Sequence, residues 1–374
     1  MDPRAKVFYL DVRDIALHIS AGGGEVKKVH EGIYQLVTPF PEYRRQEAYR
    51  LREELPHNPH LTKGLPYVLP YFIVSRGDNL LVDCGWNTDD AHQALQEQLQ
   101  ELGSHPREVR NLILTHSHPD HCGLAGRLKA EAGCTVMMHE REVDFMRSRY
   151  LEPDELLKRM HEWVEKHGVP VEEQTWMERA SMPVRHFVSP IEQPDVALKG
   201  GEHISVGDFV FEVVWTPGHS PGHVCLYEPN HRLLLTGDHI LPVITPNISL
   251  HPQQSDNPLA DYLESLEKVA RLKVDRILPA HEWDIDWFQR RLEEMRAHHE
   301  ERLEEMLRAV GTEGPVTAAD VARRIKWNTG PYDELPFWMK RAALGETLAH
   351  LRYLVGQGRL REFEADGRVY FQAV

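Results

Sequence analysis

Cysteine is scarce in this chain, with four residues in 374, and none is spaced like a disulfide framework or a thiolate metal site. Isolated thiols are typical of a reducing compartment, so we expect a cytoplasmic protein. The sequence also lacks an apolar run of about eighteen residues, the length needed to cross a membrane. Its start, Met1-Asp2-Pro3-Arg4, has no apolar core for secretion. We therefore expect no membrane partner.

Basic residues are also fewer than acidic ones. The 43 lysines and arginines are outnumbered by 58 aspartates and glutamates, which gives a formal net charge of −15. Nucleic acids and anionic lipids bind clustered positive charge, so this balance disfavours both as partners unless one face is locally basic. The apolar content of 41% is ordinary for a globular protein, and the length allows one large domain plus a smaller one.

Histidine, by contrast, is plentiful and clustered. The chain has 23 histidines, and three of them fall with one aspartate within six residues of the segment Thr115 to His121. The apolar run Val109 to Leu114 directly before it predicts a short buried strand, which puts the cluster on the loop at the carboxyl end of that strand. Such loops often carry the chemistry of α/β proteins, because a rigid sheet fixes their side chains.

The clustered side chains are typical metal ligands, since imidazole and carboxylate groups bind zinc and similar divalent ions. Residues two apart in an extended loop point the same way, so we expect His116 and His118 to face one ion together. We expect Asp120 and His121 to turn toward a neighbouring position. The alternative is a polar loop without a metal, which the rest of the chain disfavours.

Four other segments have the same form, an apolar strand followed by a polar residue. The residues in question are Asp83, His219, Asp238 and His281. Each segment alone is weak, because a strand that ends in a polar residue is ordinary. Five such segments in this order are not ordinary, and they indicate one site assembled from several strand ends.

In these segments the chain resembles the metallo-β-lactamase superfamily of metal-dependent hydrolases, over about residues 7 to 290. The resemblance implies an αβ/βα sandwich, with two mixed sheets inside, helices outside and metals at one edge between the sheets. It implies one metal bound by His116, His118 and His219, a second bound by Asp120, His121 and His281, and Asp238 bridging both. By the same resemblance, Asp83 steadies the ligand loop rather than binding a metal.

The bridging position has a physical reason. Two ions held about 3.5–4 Å apart can share a hydroxide that their charge makes available near neutral pH. A bridging ligand needs two oxygens, which favours Asp238 over any nearby histidine. We expect Asp120 and Asp238 to be catalytic as well as metal-binding. The expected cofactors are two divalent ions, zinc in first place, with manganese or iron as alternatives.

At two positions the chain differs from other branches of the superfamily, and each difference argues against one possible function. The true lactamases lack the bridging aspartate, so the presence of Asp238 disfavours lactam hydrolysis. The flavodiiron branch carries an acidic residue at the position of His118, which argues against a diiron redox site here.

Two segments outside the ligand strands are candidates to shape a substrate site. The polar stretch Pro41 to Gly64 separates two predicted strands, Tyr34 to Val37 and Val68 to Val74, and such long excursions are usually functional or disordered. Its arginines are candidates to meet an anionic substrate, although a solvated loop is the favoured alternative. They are Arg44, Arg45 and Arg50.

The second segment is a helical insert at about residues 140–190. Apolar residues recur at helical spacing in it and predict an amphipathic helix. They are Leu156, Leu157, Met160, Trp163 and Val164. We expect this insert to cover the metal cleft, with Met160, Trp163, Trp176 and Met177 forming a partly apolar pocket, although core packing is the favoured alternative for an aromatic stripe.

The chain changes character after the last ligand strand, which divides it into domains 1–290 and 291–374. The second part predicts a long helix to about Val310, a helix from Ala318 to Ile325 capped by Thr317, a helix from about Phe337 to Val355, and a hairpin at Asp366-Gly367. This order resembles a small winged-helix domain. Residues 300–374 carry eleven basic and twelve acidic side chains, so we expect packing or homodimerisation rather than DNA binding.

The leading hypothesis for function is a hydrolase of a small ester or thioester, resembling the hydroxyacylglutathione hydrolase branch of the superfamily. The expected partner is a small-molecule substrate. A phosphodiesterase or ribonuclease is the first alternative, which would make nucleic acid the substrate. A mononuclear iron persulfide dioxygenase is the second, and a binding protein with a structural metal is the weakest. Fold alone does not choose among them, because the substrate is selected by loops and the insert.

Overall fold

The computed structural model describes residues 26–42, 67–180 and 182–374. The stretch with Arg44, Arg45 and Arg50 falls outside the described residues, and so does the hypothesis about their role. The other predicted segments can be compared with the structure.

The first sheet carries the loop with the clustered histidines. Its strands, in spatial order, are β1 (Lys27–His30), β2 (Ile33–Gln35), β5 (Tyr71–Ser75), β6 (Asp78–Val82), β7 (Asn111–Ile113), β8 (Thr135–His139) and β9 (Val196–Leu198), while β3 (Thr38–Pro39) and β4 (Tyr67–Val68) form a separate short pair. The pairs from β1 to β6 are antiparallel and those from β6 to β9 are parallel. The sheet is therefore mixed, as expected.

The strand predicted from Val68 to Val74 is interrupted in the structure. It divides into β4 and β5 at Leu69 and Pro70. Proline has no N–H for a ladder hydrogen bond, and the Leu69 N–H donates to the carbonyl of Ala280, 2.7 Å away, at the end of a strand of the other sheet. The break therefore ties the two sheets together next to His281.

The second sheet supplies the other strand ends. In spatial order it contains β10 (His203–Val206), β11 (Phe209–Trp215), β12 (Val224–Glu228), β13 (Leu233–Gly237) and β14 (Arg276–Pro279). All of its pairs are antiparallel except β13 with β14, which is parallel. Because β13 and β14 run the same way, the residues that follow them leave the sheet at the same edge.

The two sheets pack face to face around an apolar layer. This layer includes Ile73 and Leu80 from the first sheet and Phe211, Leu226 and Leu278 from the second, all fully buried. Burying each such side chain contributes about 1.5–3 kcal/mol. The sandwich expected from the sequence is confirmed.

Three helices follow strands of the first sheet, and they are α1 (Asp89–Glu101), α2 (Pro119–Cys122) and α3 (Ala125–Ala132). Leu95 of α1 and Leu128 of α3 pack with Leu112 of β7 in a second apolar cluster, on the outer face of that sheet. The α1 helix starts at Thr88, whose side chain accepts a hydrogen bond from the Ala91 N–H. The short α2 helix begins with the proline of the ligand loop and carries Asp120 and His121.

The predicted insert is helical. It contains α4 (Glu140–Met146), a π-helical turn (Arg147–Leu151), α5 (Pro153–Lys166), α6 (Val171–Arg179) and a 3-10 turn (Met182–Phe187). The amphipathic helix expected here is α5, whose buried residues are Leu156, Met160, Trp163 and Val164.

The helix α7 (Pro258–Ala270) covers the outer face of the second sheet, and the carboxyl-terminal region follows β14. That region contains α8 (Phe288–Val310), α9 (Ala318–Arg324), α10 (Phe337–Gly356), β15 (Leu360–Ala365) and β16 (Arg368–Ala373). Thr317 caps α9, because its side chain accepts from the Asp320 N–H while the Asp320 carboxylate accepts from the Thr317 N–H. The predicted helices and hairpin are confirmed to within a few residues.

The carboxyl-terminal region packs closely on the rest of the chain. One apolar cluster runs from Met160 in the insert through Ile277 of β14 to Leu348 of α10 and Phe371 of β16. No helix among the described residues is both long enough and apolar enough to pass through a bilayer.

Candidate metal centre

The structure brings the predicted ligands together at one edge of the sandwich. They form two groups, and within each group the potential ligand atoms all lie within 4.8 Å of one another. The first group is His116, His118, His219 and Asp238, and the second is Asp120, His121 and His281. Segments that are far apart in sequence thus end at one place.

The first group consists of three imidazoles and a carboxylate. The Nε2 atoms of His116 and His219 each lie 2.9 Å from Nδ1 of His118. Oδ2 of Asp238 lies 3.4 Å from Nε2 of His219. Three imidazole nitrogens that converge on one point, with a carboxylate oxygen beside them, are a donor set that suits a divalent metal.

In the second group two imidazoles face one carboxylate oxygen. Oδ2 of Asp120 lies 3.7 Å from Nε2 of His121 and 3.4 Å from Nε2 of His281. Both histidines are almost completely buried. This donor set also suits a divalent ion.

Asp238 lies between the two groups. Its Oδ2 atom faces His219 in the first group. Its Oδ1 atom faces the second group, 3.4 Å from Nε2 of His121 and 3.3 Å from Nε2 of His281. One carboxylate therefore presents a different oxygen to each group, which is the geometry that a bridging ligand requires.

The ring nitrogens that face away from the groups are held by protein acceptors. Nδ1 of His121 donates to Oδ2 of Asp83, 2.8 Å away, and Nδ1 of His116 donates to Oγ1 of Thr115 at 3.1 Å. Asp83 also accepts from the Thr115 N–H and hydroxyl, both at 2.8 Å. Asp83 thus fixes the start of the ligand loop and the orientation of one ring, as metal-site carboxylates commonly do.

Backbone carbonyls hold two further rings in the same way. Nδ1 of His219 donates to the carbonyl of Asn247 at 3.0 Å, and Nδ1 of His281 donates to the carbonyl of Tyr67 at 3.2 Å. Each contact places the proton on Nδ1 and leaves the Nε2 lone pair directed at its group.

Two buried atoms test whether metals fit the site. Nε2 of His121 and Oδ1 of Asp238 are buried and make no hydrogen bond to any described residue. An unsatisfied buried polar atom costs about 1–3 kcal/mol. Coordination to a divalent ion would satisfy both atoms, so the donor set fits two such ions. Nitrogen and oxygen donors of this kind suit zinc, manganese and iron alike.

The two groups differ in charge. Burial and the neighbouring imidazoles of His121 and His118 lower the pKa of His116 well below its ordinary value. Burial alone would also lower the pKa of His121, but the carboxylates of Asp238 and Asp120 outweigh burial and hold the pKa of His121 well above its ordinary value. The three imidazoles of the first group thus favour the neutral form, whereas His121 in the second group is governed by the charges of Asp238 and Asp120.

Glu142, in α4, connects two ligand loops and was not predicted from the sequence. Its Oε2 atom accepts from the Ser117 N–H at 2.9 Å and from the Ser117 hydroxyl at 2.5 Å, and its Oε1 atom accepts from the Gly222 N–H at 2.7 Å. The side chain is completely buried. It ties the loop with His118 to the loop with His219, and no local motif marks it.

His223 positions the bridging aspartate. Its Nδ1 atom donates to Oγ1 of Thr216 at 2.8 Å, and its Nε2 atom accepts from the Asp238 N–H at 3.1 Å. His223 therefore stabilises its loop by hydrogen bonding. The neighbouring His239 is completely buried with its ring against Tyr262.

A cavity of about 120 Å³ opens beside the first group. His118 and His219 line it, and Leu156, Met160 and Trp163 of α5 give it apolar surface. The helical insert therefore does border the metal groups, through α5.

Two further segments complete this cavity. One begins at Asn247 and includes His251. The other is α10, which contributes Arg341 and Gly345. No pattern in the sequence indicated that the carboxyl-terminal region would reach the metal groups.

The predicted role of Trp176 and Met177 in this pocket is wrong. The indole of Trp176 is exposed and stacks on Phe337, with ring centroids 5.8 Å apart, beside a separate surface depression. Met177 is completely buried in the apolar core. Helical periodicity identifies the apolar face of a helix but not the element that this face meets.

Comparison with known proteins agrees with this architecture. Residues 64–281 match the metallo-beta-lactamase superfamily. The chain therefore belongs to this superfamily and is a metal-dependent hydrolase.

Three similar proteins illustrate the likeness. A probable metallo-hydrolase of Bacillus subtilis, YqjP, is 26% identical over 312 residues, which cover 82% of this chain and 93% of that protein. The crystal structure of the metallo-beta-lactamase family protein TTHA1429 from Thermus thermophilus superposes with a TM-score of 0.75 at 30% identity, covering 93% of this chain and all (100%) of that chain. The acyl-coenzyme A thioesterase MBLAC2 of Gallus gallus is 33% identical over 107 residues, 28% of this chain and 37% of that protein.

Proposed function

We propose that this protein hydrolyses a small ester or thioester with two divalent metal ions, zinc in first place. His116, His118 and His219 would hold one ion, Asp120, His121 and His281 the other, and Asp238 would bridge them. The observation that carries the proposal is the position of Asp238, whose two oxygens face different groups. The pair of ions would supply Lewis acidity and a hydroxide nucleophile near neutral pH.

The residues around the ions have separate tasks in this proposal. Asp83 and the Asn247 carbonyl hold the rings of His121 and His219, so the ligand geometry is set before substrate arrives. Trp163 and its neighbours on α5 exclude water from one side of the cavity and offer apolar surface to an acyl chain.

The size and lining of the cavity support a small acyl substrate. A cavity of about 120 Å³ with an apolar side suits a short acyl chain. The name of the relative MBLAC2, an acyl-coenzyme A thioesterase, points in the same direction. On this basis we propose that the chain lies near the hydroxyacylglutathione hydrolase branch.

Two alternatives are less well supported. An iron persulfide dioxygenase needs one metal, which would leave Asp120, His121 and His281 without a task. A phosphodiesterase or ribonuclease needs a basic groove for phosphates, whereas α5 presents an apolar wall. A small phosphodiester remains the second candidate, because Arg149 and Arg341 line the same cavity.

For the remaining organisation we propose domains 1–290 and 291–374. The order α8, α9, α10 and hairpin supports a winged-helix-like second domain, and its part in forming the cavity supports a packing role. Four buried cysteines without disulfides support a cytoplasmic setting.

Metal analysis and a substrate panel on the purified protein test the proposal. We expect two zinc or manganese ions per chain and hydrolysis of short thioesters or esters, lost on chelation and restored by added metal. The panel should include lactones, phosphodiesters and RNA. One iron per chain with oxygen consumption, or cleavage of RNA alone, would overturn the proposal.

A further inference from the structure

The charge of the cavity beside the metal groups is opposite to that of the whole protein. The chain has a net charge of −15, yet the described residues that line this cavity include two arginines, Arg149 and Arg341, and no carboxylate. Two guanidinium groups that line one cavity beside the candidate metal ligands form a positively charged surface, which attracts an anionic group of a substrate.

Arg149 is held in place by neutral groups. It lies in the π-helical turn after α4, where its guanidinium stacks on the ring of Phe145, 4.2 Å from the centroid. Its Nε and Nη2 atoms donate to Oε1 of Gln253 at 3.3 and 3.1 Å. Arg149 is only 8% exposed, and it forms no ion pair with any residue in the described part of the chain.

The position of Arg149 is next to the metal groups. The ring of Phe145, on which it stacks, contacts the ring of His118 on one side and that of His251 on the other, with centroids 5.9 Å apart in both cases. An anion bound by this guanidinium would therefore lie beside the first ligand group.

Arg341 reaches the same cavity from the first turns of α10. Burial and the charge of Arg149 lower the pKa of Arg341 to about 9, so it remains a cation at neutral pH. Arg149 lowers this pKa because the two guanidinium groups are close enough to repel each other.

Contacts with Ser249 and Leu250 fix the position of α10, the helix that carries Arg341. The Leu250 N–H donates to the carbonyl of Gly345 at 2.9 Å, and the Ser249 hydroxyl donates to the carbonyl of Ala342 at 3.4 Å. A Cβ atom on Gly345 would lie 2.9 Å from Cβ of Ser249. This close approach fixes the part of α10 that carries Arg341.

We propose that Arg149 and Arg341 together bind an anionic group of the substrate, a carboxylate or a phosphate, beside His118. A planar guanidinium recognises either anion through paired N–H donors. The inference rests on the proposed function and narrows it to anionic esters or thioesters. It also gives α10 a direct part in selecting the substrate.

A matched series of substrates tests the inference on the metal-loaded enzyme. Butanoyl thioesters of mercaptoethanol, mercaptopropionate and mercaptoethyl phosphate share one acyl chain but end in a hydroxyl, a carboxylate or a phosphate. The glutaryl thioester of mercaptoethanol places a carboxylate on the acyl side instead. Release of the thiol gives kcat/KM for each, and the preferred anion distinguishes a carboxylate substrate from a phosphate one.

We expect the wild-type protein to favour at least one anionic thioester over the neutral one by about tenfold or more, mainly through KM. Arg149→Gln and Arg341→Gln should each reduce this ratio by about tenfold. Arg352→Gln is the matched control, because Arg352 lies on α10 and pairs with Glu362 away from the cavity. It should leave the ratio unchanged.

The outcomes separate the two proposals. Hydrolysis of all four thioesters with equal kcat/KM would overturn the anion site and leave the proposed function standing. Loss of thermal stability in Arg149→Gln and Arg341→Gln with an unchanged ratio would show that the pair is structural, and would overturn the inference as well. If no thioester or ester is hydrolysed at full metal content, the proposed function fails, and the inference fails with it.

Discussion

At the scale of single residues, the candidate ligands differ from the other histidines in what both ring nitrogens contact. His121 and His219 each direct Nε2 at a ligand group and donate from Nδ1 to a carboxylate or carbonyl. Buried His299 instead donates from Nδ1 to another histidine, His350. The positions of the candidate ligands at the ends of apolar strands could be read from the sequence, whereas their division between two metals came from the resemblance to the superfamily. The contacts made by Glu142 were not predictable, because they join segments with no shared pattern.

The bridging aspartate gives the first prediction. Asp238→Asn keeps the shape of the side chain but removes negative charge between two cations, so both metals should bind more weakly and unevenly. We expect kcat/KM to fall by at least about a hundredfold. Steady-state kinetics and metal content per chain are the measurements. Full metal content with activity near that of the wild type would refute the bridging role.

The second prediction concerns Glu142. In Glu142→Gln, one of the two carboxylate oxygens becomes an NH2 group that faces an N–H donor, from either Ser117 or Gly222. We expect a loss of about 2 kcal/mol in the free energy of unfolding, since the lost bonds are buried and charge-assisted. Urea denaturation measures this loss. Glu140→Gln, at an exposed position of the same helix, is the control and should change stability by less than about 0.5 kcal/mol.

At the scale of elements, α10 shows what sequence patterns leave out. The bounds of the helix were predictable from its apolar residues and the Gly356-Gln357-Gly358 end. The contact of α10 with the metal cavity was not predictable. It depends on the close approach of Gly345 to Ser249, and no local sequence pattern indicates a contact between residues so far apart in the chain. Trp176 illustrates the opposite error, since a plausible pocket residue packs on Phe337 instead.

A pair of glycines on α10 gives the third prediction. A Cβ atom on Gly345 would press on the Ser249 side chain at 2.9 Å, whereas one on Gly356 would meet its nearest neighbour, Nδ2 of Asn257, at 3.6 Å. Gly345→Ala should therefore shift Arg341 and raise KM, with a stability loss of about 1–3 kcal/mol. Gly356→Ala should leave KM unchanged. Equal KM values in both variants would show that the position of α10 set by Gly345 does not affect substrate binding.

The contact between α8 and α10 gives a prediction about pH. Nδ1 of His350 donates to the Glu346 carbonyl at 2.8 Å, and its Nε2 atom accepts from Nδ1 of His299 at 3.1 Å. Burial, with the charges of Arg302 and His298, lowers the pKa of His350 to about 3. In the unfolded chain this pKa is about 6.5. Below that value the unfolded state binds a proton that the folded state excludes, so stability falls as the pH drops.

The size of this effect follows from the difference in proton uptake. At pH 5.5, about one unit below the unfolded pKa, His350 should cost the folded state about 1.4 kcal/mol relative to pH 7.5. Between pH 7.5 and pH 5.5, His350→Asn should therefore lose about 1.4 kcal/mol less free energy of unfolding than the wild type does. Urea unfolding at the two pH values is the measurement, with exposed His203→Asn as the control. Parallel pH dependence in the wild type and His350→Asn would contradict the prediction.

At the scale of the whole molecule, the strand ends that carry the candidate ligands could be predicted because apolar strands and the polar residues after them are local signals, and the resemblance to the superfamily implied the sandwich. The closure of the cavity could not, since it requires knowing that the insert, the segment after Asn247 and α10 meet at one point. Local sequence determines where an element begins and which face is apolar. Three-dimensional packing determines what that face meets.

Net charge gives the last prediction. Residues 300–374 carry eleven basic and twelve acidic side chains, so we expect no salt-sensitive affinity for duplex DNA tighter than about micromolar at physiological salt. A binding titration at two salt concentrations is the measurement. A steep loss of affinity with salt would contradict the prediction and favour a nuclease.

The order of these parts along the chain matters while the protein is being made. A growing polypeptide leaves the ribosome amino terminus first, and its early segments can fold before the late ones appear. The last clustered ligand is His281, whereas Arg341 and Gly345 emerge roughly sixty residues later, after several seconds of translation. A nascent chain therefore possesses both ligand groups before it possesses the wall of the cavity that α10 provides. On the proposed function, the residues that would bind metal are therefore synthesised first, and the proposed anion site is complete only when α10 has been made.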